Sequence, residues 1–579
     1  MKPISAWLVV VVLTMMSMIF SRVIGKIFHV SDHIDATQQI QSTIDAAISD
    51  GPNNIVKFGY GTYNITQTIY INNGTNLTVQ GEGIGETFLI GTSKMFLFFG
   101  QYCNGLTIQG LSIDFNPLPF TAGYVVNVAD TYVDVRVQAP HQADVGQRVE
   151  GLIRYDPINM RPAFGPNTYD YYQESIFKGN TSLVSPGVLR IPVTSRTAFT
   201  IGDPLVAVYD ISYHAIYAHD VTDLVVRSIG LHSSWGMSFV VERVKRLTVH
   251  DYHVTPYEGR WLSANSDCMH FISTTEFVSL SDSKCQMQAD DGLNVFTHYV
   301  RVTEVINSTA LIISAINYTD PLFIEDGTRL EFSSSKQAFV TYSAGTVASS
   351  TVDSPTSRLF LFTSPVNASV GDFAHIGDVP ALTIRNFTVE RNRARGVLLE
   401  THNVDVRNCV FNRTSGPGVF MQPSLYWYEG PPGRNITLAN NLFIHCNEGI
   451  GQQEGLITIL PDPTQTIPVV EDVHIQSSTF YFGNHSRGLL QSYNVNNLHL
   501  TGNYIATNGS IPLISICNSR NLTASNNTVV DIQSKIDQYY VFDQVQPCQM
   551  NLSSLIDLPP SAFNSSFPPP VEHLHSNPM

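Results

Sequence analysis

The sequence predicts an all-β fold: a right-handed parallel β-helix, or solenoid, carrying inserted antiparallel β lobes or barrels and a short N-terminal capping helix. The first observation behind this is a recurring short alternating strand. It appears as Leu77-Thr-Val-Gln-Gly-Glu-Gly, Leu106-Thr-Ile-Gln-Gly-Leu-Ser-Ile, Leu224-Val-Val-Arg-Ser-Ile-Gly-Leu and Leu247-Thr-Val-His-Asp-Tyr-His-Val. Later copies start at Leu382, Val404, Ile436 and Leu498. Each strand has one apolar face and cannot bury it alone, so the copies must stack. The second observation is the absence of any helical half in a repeat of about 22 to 24 residues, which argues against leucine-rich repeats. The pair Asn440-Asn441 fits an inward asparagine ladder instead. The third is that two stretches break the rhythm and read as separate β lobes.

The elements follow in order. Thr37 to Ile48 places Ile40, Ile44, Ala47 and Ile48 at helical spacing and ends at Ser49-Asp50-Gly51. Such a helix caps the open end of a solenoid, whose last coil would otherwise expose its core. The first interruption, Ala122 to Ile211, contains Tyr124-Val-Val-Asn-Val and Tyr132-Val-Asp-Val-Arg-Val; the second, Val300 to Asp378, contains Arg301-Val-Thr-Glu-Val and Val370-Gly-Asp-Phe-Ala. Both read as antiparallel β inserts with Gly-Asp turns. The expected organisation is a signal peptide over 1–25, the cap and first coils over 26–121, an insert over 122–211 and coils with candidate carboxylates over 212–299. A second insert follows over 300–378, then C-terminal coils over 379–535 and a Pro-rich tail over 536–579.

Composition bounds the function. The chain has 579 residues, 43% apolar and 14% charged, ample for a large core and too apolar for disorder. A net charge of −16, without a long basic run, argues against nucleic acid or an anionic membrane surface as partner. Lys2, the apolar run Ala6 to Phe20 and small residues near Gly25 read as a secretory signal rather than a stable membrane span. Sixteen Asn-x-Ser/Thr sequons, from Asn64 to Asn564, agree with a secreted or lysosomal-type, N-glycosylated protein. None of the seven cysteines forms a Cys-x-x-Cys pair, so a zinc site is not expected. Cys268 with Cys285 would make a short disulfide in an oxidising compartment.

Chemistry concentrates between Asn265 and His298. Asp267 and Asp291 lie one repeat apart, so they stack at about 4.8 Å and bring Asp290 with them. Carboxylates that close cannot all ionise cheaply, and their pKa values spread apart. That spread serves acid and base chemistry on a glycosidic bond. His270 and Asn294 sit at matching offsets beside them. An isolated Asp-Asp-Gly is usually a solvated turn; its companions one coil away set this one apart. Aligning the coils without gaps gives a ladder of Trp235, Asp267, Asp291, Arg395 and Pro417, an aromatic, two carboxylates and a guanidinium suited to a sugar. The enlarged turn holding Tyr257, Glu258 and Trp261, and the later Leu425-Tyr-Trp427-Tyr-Glu, are candidate cleft walls, although buried packing suits aromatic residues equally. Glu400 is a further candidate, placed by strand alternation on the face of Leu398.

These motifs together resemble glycoside hydrolase family 110. The resemblance lies in Asp114-Phe-Asn-Pro-Leu-Pro-Phe-Thr-Ala-Gly, Asp267-x-x-His270, Ala289-Asp290-Asp291-Gly292, Arg393-Ala-Arg395-Gly-Val-Leu-Leu and Trp427-Tyr428-Glu429. It implies an α-1,3-galactosidase on a right-handed β-helix, removing terminal α-linked galactose with inversion and without cofactor. Asp267, Asp290 and Asp291 would be its catalytic carboxylates and the glycan of an oligosaccharide, polysaccharide or glycoprotein its substrate. Polygalacturonases are similar in the Asn-x-Asp and Asp-Asp pieces, but their later Gly-His-Gly and Arg-x-Lys are missing. The alternatives are a polysaccharide lyase or epimerase on the same fold, often calcium-dependent, and a non-catalytic glycan-binding β-helix.

Overall fold

The computed structural model describes residues 25–30, 36–165, 170–316, 324–449, 455–461, 467–486, 488–507, 514–531 and 536–538. The signal peptide, apart from its last residue, and nearly all of the tail lie outside these, as do Cys548 and the sequons at Asn317, Asn508, Asn551 and Asn564. Among the described residues one helix, Thr37–Asp50, stands against strands throughout.

The strands stack coil on coil in parallel. Asn104–Phe115, Thr222–Leu231, Lys245–Val254, Thr275–Gln286 and Ala381–Glu390 pair in sequence, Leu106 against Leu224, Leu224 against Leu247 and Val278 against Leu382. These are the copies that the alternation predicts, wound right-handed as twisted parallel strands require. Each long strand turns near its middle at a residue with positive φ: Gly110, Ser228, Asp251, Asp282 and Asn386. Later coils bend at Asn408, Asn440, Ser477, Gly502 and Asn526. Gly, Asn and Asp recur at this position of the repeat because they enter the left-handed region at least cost.

Inside the bend lies the asparagine ladder. Asn441 is buried while Asn440 is exposed. The Cys409 N–H donates to Asn441 Oδ1 at 2.9 Å, the Ser478 N–H to Asn503 Oδ1 at 3.0 Å and the Asn503 N–H to Asn527 Oδ1 at 3.0 Å. The tight bend leaves backbone groups without a sheet partner, and the amides satisfy them where water cannot reach. At the N-terminal end the helix buries Thr37, Ile40, Ile44 and Ala47 against the first coils.

A second sheet of short strands completes each coil. Phe98–Gln101, Ile216–His219, Phe239–Glu242, Met269–Ile272, Leu293–His298 and Val397–Leu399 pair in parallel succession. The inserts leave the solenoid on either side of the candidate carboxylates. An antiparallel sheet occupies Phe120 to Val208, and Val300 to Ile376 closes into a six-stranded barrel with its own apolar core. The first insert instead shares its core with the solenoid: Phe120, Tyr155 and Val206 pack with Trp261, Leu262 and Met287.

Trp261 is therefore a packing residue and not a cleft wall. Only 8% exposed, it stacks on Tyr155 with centroids 5.2 Å apart and meets the edges of Tyr124 and His141. Truncating so large a buried ring costs about 3–5 kcal/mol. Trp261→Ala is expected to lower the melting temperature sharply. A variant that melts like the wild type while binding glycan more weakly would return Trp261 to the cleft.

Candidate active site

The turn joining each long strand to its short strand positions the acids. Asp267 precedes Met269–Ile272, Asp290 and Asp291 precede Leu293–His298, and Arg393 and Arg395 precede Val397–Leu399. Met269 pairs with Leu293 and Leu293 with Val397, so Asp267, Asp291 and Arg395 stack in consecutive coils as the repeat predicts. The ladder differs before Asp267. Phe239 pairs with Met269, which sets Met237 and not Trp235 beside Asp267. The enlarged turn between these coils adds residues that a gap-free alignment misassigns. Trp235 is 1% exposed, within the solenoid core, with the Lys94 ammonium 5.2 Å from its ring centroid; it is no sugar platform.

Asp267, Asp290 and Asp291 each bring a carboxyl oxygen within 4.8 Å of the others. Asp267 Oδ2 lies 2.7 Å from His270 Nδ1, and its Oδ1 accepts the Asp291 N–H at 3.3 Å. Asp291 Oδ1 accepts the Arg395 N–H at 2.8 Å, and its Oδ2 meets Arg395 Nη2 at 2.9 Å. Asp290 is less constrained: the Arg393 guanidinium stands 4.0 Å away while it pairs with Asp170 at 2.7 Å. The disulfide between Cys268 and Cys285 ties the Asp267 coil to the strand leading to Asp290.

This geometry spreads the titrations. Burial, then the Asp267 charge, pushes Asp290 up to about 6, with both guanidiniums opposing. Burial also raises Asp291, against Arg395 and reinforced by the other two carboxylates. Burial alone would lower His270; the hydrogen bond and charge of Asp267 outweigh it and the imidazole is raised. The opposite holds for His214, which burial and the His270 charge lower to about 3 despite the nearby Asp267. The Arg393 and Arg395 guanidiniums and the His270 imidazole thus stand against the three carboxyl groups.

The outward face of the short strands completes the site. His270 and Asn294 pair in register. Glu429 reaches the site because Glu429–Gly430 pairs antiparallel with Thr297 and His298. Burial raises it to about 7, and burial with the Glu429 charge raises Glu400. Leu398 lies on this face while Val397 and Leu399 point into the core, so Glu400 belongs to the site side. Tyr257 and Glu258 are exposed and stand apart from these acids: Tyr257 stacks on His232 at 3.9 Å, and Arg260 pairs with Asp114 at 2.8 Å. Trp427 is 36% exposed, edge-on to Tyr426 on the segment that delivers Glu429.

Sequence reasoning alone did not single out Glu429, Arg393, Tyr172 or His214. Glu429 and Arg393 stand inside motifs quoted above, so their signal was present. Tyr172 had none: it comes from the first insert, donating its hydroxyl to the Asn265 carbonyl at 2.6 Å beneath the Arg393 guanidinium.

No protein-family model matches the chain. The chain is 24% identical over 439 residues to α-1,3-galactosidase A of Shewanella woodyi, covering 70% of this chain and 69% of that one. It is 23% identical over 543 residues to α-1,3-galactosidase B of Bacteroides thetaiotaomicron, covering 83% and 86%. Among solved structures it resembles the family 28 exopolygalacturonase of Yersinia enterocolitica with a TM-score of 0.40 and 11% identity, over 87% of this chain and 75% of that one. The resemblance to glycoside hydrolase family 110 carried by the motifs is thus matched by relatives named α-1,3-galactosidase A and B, similar over most of the chain.

Proposed function

We propose that the chain is a glycoside hydrolase that removes terminal α-1,3-linked galactose with inversion at the anomeric carbon. The observation that carries this is the convergence of Asp267, Asp290 and Asp291, with oxygens within 4.8 Å and unlike environments. Asp290, raised to about 6 and free of a close ion pair, is suited to protonate the leaving oxygen. Asp267 and Asp291 spend their oxygens on His270, Arg395 and backbone N–H groups. Carboxylates held that way are better placed to orient a water than to attack the sugar themselves. Asn294, Glu429, Glu400 and Arg395 would hold the hydroxyls of the terminal residue, and Trp427 would rim the pocket.

A two-carboxylate enzyme with so short a spacing would be read as retaining, since inverting pairs stand about 6.5–9.5 Å apart. Here the third carboxylate supplies the second water contact, so the pair rule does not apply directly. Proton NMR of a synthetic α-galactoside during hydrolysis is expected to reveal β-galactose first, with the rate unaffected by a chelator. First release of the α anomer would overturn inversion. A rate that vanishes with the chelator and returns with calcium would favour the lyase or epimerase alternative.

We infer a secretory, N-glycosylated protein on the same footing. Of the described sequon asparagines only Asn412 is half-buried; Asn64, Asn180, Asn307, Asn435 and the rest are exposed, as oligosaccharyl transfer requires. Among the described residues no helix is long and apolar enough to cross a membrane.

A further inference from the structure

The outer face of the short-strand sheet carries one row of side chains through the site, and its two halves differ. C-terminal to Asn294 the row continues with Leu398, Phe420 and Thr458, which are 3%, 1% and 0% exposed. The Glu429–Gly430 segment closes that end. N-terminal to His270 the row runs back through Val240, Tyr217 and Phe99 to Tyr70, and Tyr70 is 46% exposed. The row stays buried on one side of the carboxylates; on the other it is buried at Val240, half-buried at Tyr217 and Phe99, and exposed at Tyr70.

That second side is aromatic. Tyr70 and Phe99 lie 5.5 Å apart between centroids, and Phe99 and Tyr217 5.2 Å, with planes tilted by 55° and 46°. Phe96 fills in beside them, 5.6 Å from Tyr217 and 5.6 Å from His214. His214 Nδ1 accepts the Met237 N–H at 3.2 Å, and Met237 is the register neighbour of Asp267, so the array comes within one coil of the carboxylates. Polar groups border it: the Tyr217 hydroxyl donates to Glu242 Oε2 at 2.8 Å, and Glu242 and Arg243 line a small surface depression with His298 and His375. Tyr70 is exposed and Phe96, Phe99 and Tyr217 are half-buried, so the array presents ring surface to solvent along successive coils. One ring per coil, at about 4.8 Å per coil, matches the length of one pyranose residue. Aromatic faces with a polar border suit the C–H faces and hydroxyls of sugars.

We propose that this face is an extended acceptor-side platform, on which Tyr70, Phe99 and Tyr217 hold three or more residues of the glycan behind its terminal galactose. The inference rests on the proposed galactosidase reading and adds that the substrate is a long glycan chain. The closed end takes the terminal residue; the end exposed at Tyr70 takes the chain that remains.

Calorimetry tests it in the Asp290→Asn background, with an α-galactosyl-terminated disaccharide and pentasaccharide as probes. The pentasaccharide is expected to bind at least about tenfold tighter, a factor that the loss of one or two ring contacts removes. Adding Tyr70→Ala with Phe99→Ala should make the two affinities equal. Tyr70→Ala alone, at an exposed position, should reduce the preference severalfold and keeps the test open if the pair fails to fold. Equal affinities before substitution, or an undiminished preference in Tyr70→Ala, would overturn the platform. So would sedimentation showing a dimer that Tyr70→Ala dissociates, which would assign the face to a second copy of the chain. If the wild type hydrolyses no α-galactoside yet Tyr70→Ala abolishes the length preference, the galactosidase reading falls and the platform stands.

Discussion

Asp290→Asn is expected to lower turnover by about 10²–10⁴-fold, the contribution of a general acid, while the chain stays folded. The amide keeps the shape of the carboxyl but cannot deliver a proton. The wild type should lose kcat/KM as pH rises through about 6, where burial and Asp267 place the Asp290 titration. The sign for stability is opposite to that of a salt-bridged aspartate. Its folded pKa lies above the ordinary value of 3.8, so its contribution is full below about 4 and is lost as pH rises through about 6. Above that the buried carboxylate costs at most about 3 kcal/mol. Asp290→Asn should therefore be no less stable than the wild type at pH 7. Kinetics and urea titration at pH 5 and 7 check both parts. An unimpaired variant, or a rate flat between pH 5 and 8, would remove Asp290 from the acid role.

Arg395→Ala is expected to damage stability and activity together. Asp291, 4% exposed at its side chain, would lose the guanidinium 2.9 Å away and stand buried without a counter-charge. Breaking such a pair costs about 3–5 kcal/mol unless the carboxyl takes up a proton. A protonated Asp291 can no longer hold the water as an acceptor, so turnover should fall by at least about 10²-fold. Arg395→Lys should recover much of the stability and less of the activity, because an ammonium carries the charge without the planar fork. Asp291→Asn combined with Arg395→Ala should be more stable than Arg395→Ala alone. If Arg395→Ala melts and turns over like the wild type, the pair is incidental.

How much was legible follows from how each feature is encoded. The ladder Asp267, Asp291, Arg395 could be read because short parallel strands repeat at a nearly constant period, and the two inserts because they interrupt it. Asn441 announced the inner ladder because backbone groups at that bend need a buried side-chain acceptor, an amide at Asn441 and a hydroxyl at Ser478. Trp235 was misplaced by two residues because the enlarged turn changes the coil length where no repeat marks the change. Trp261 was assigned to a wall because an aromatic in a long turn looks alike whether solvent or another lobe covers it. Leu398 illustrates the same limit: alternation tells which residues share a face, and only the packed coils tell which face is inside.

What the sequence by itself determined is the β-helix, its cap, its inserts and the three stacked carboxylates, all of which follow from local period and chain order. Tertiary structure alone decided that Tyr172 and Asp170 return from the first insert to Arg393, that Glu429 pairs across to His298, and that the outer row is buried after Asn294 and reaches solvent at Tyr70, beyond Val240. These contacts join residues distant along the chain. They depend on where two inserted lobes come to rest on a solenoid, which side-chain burial settles and a repeating pattern does not record.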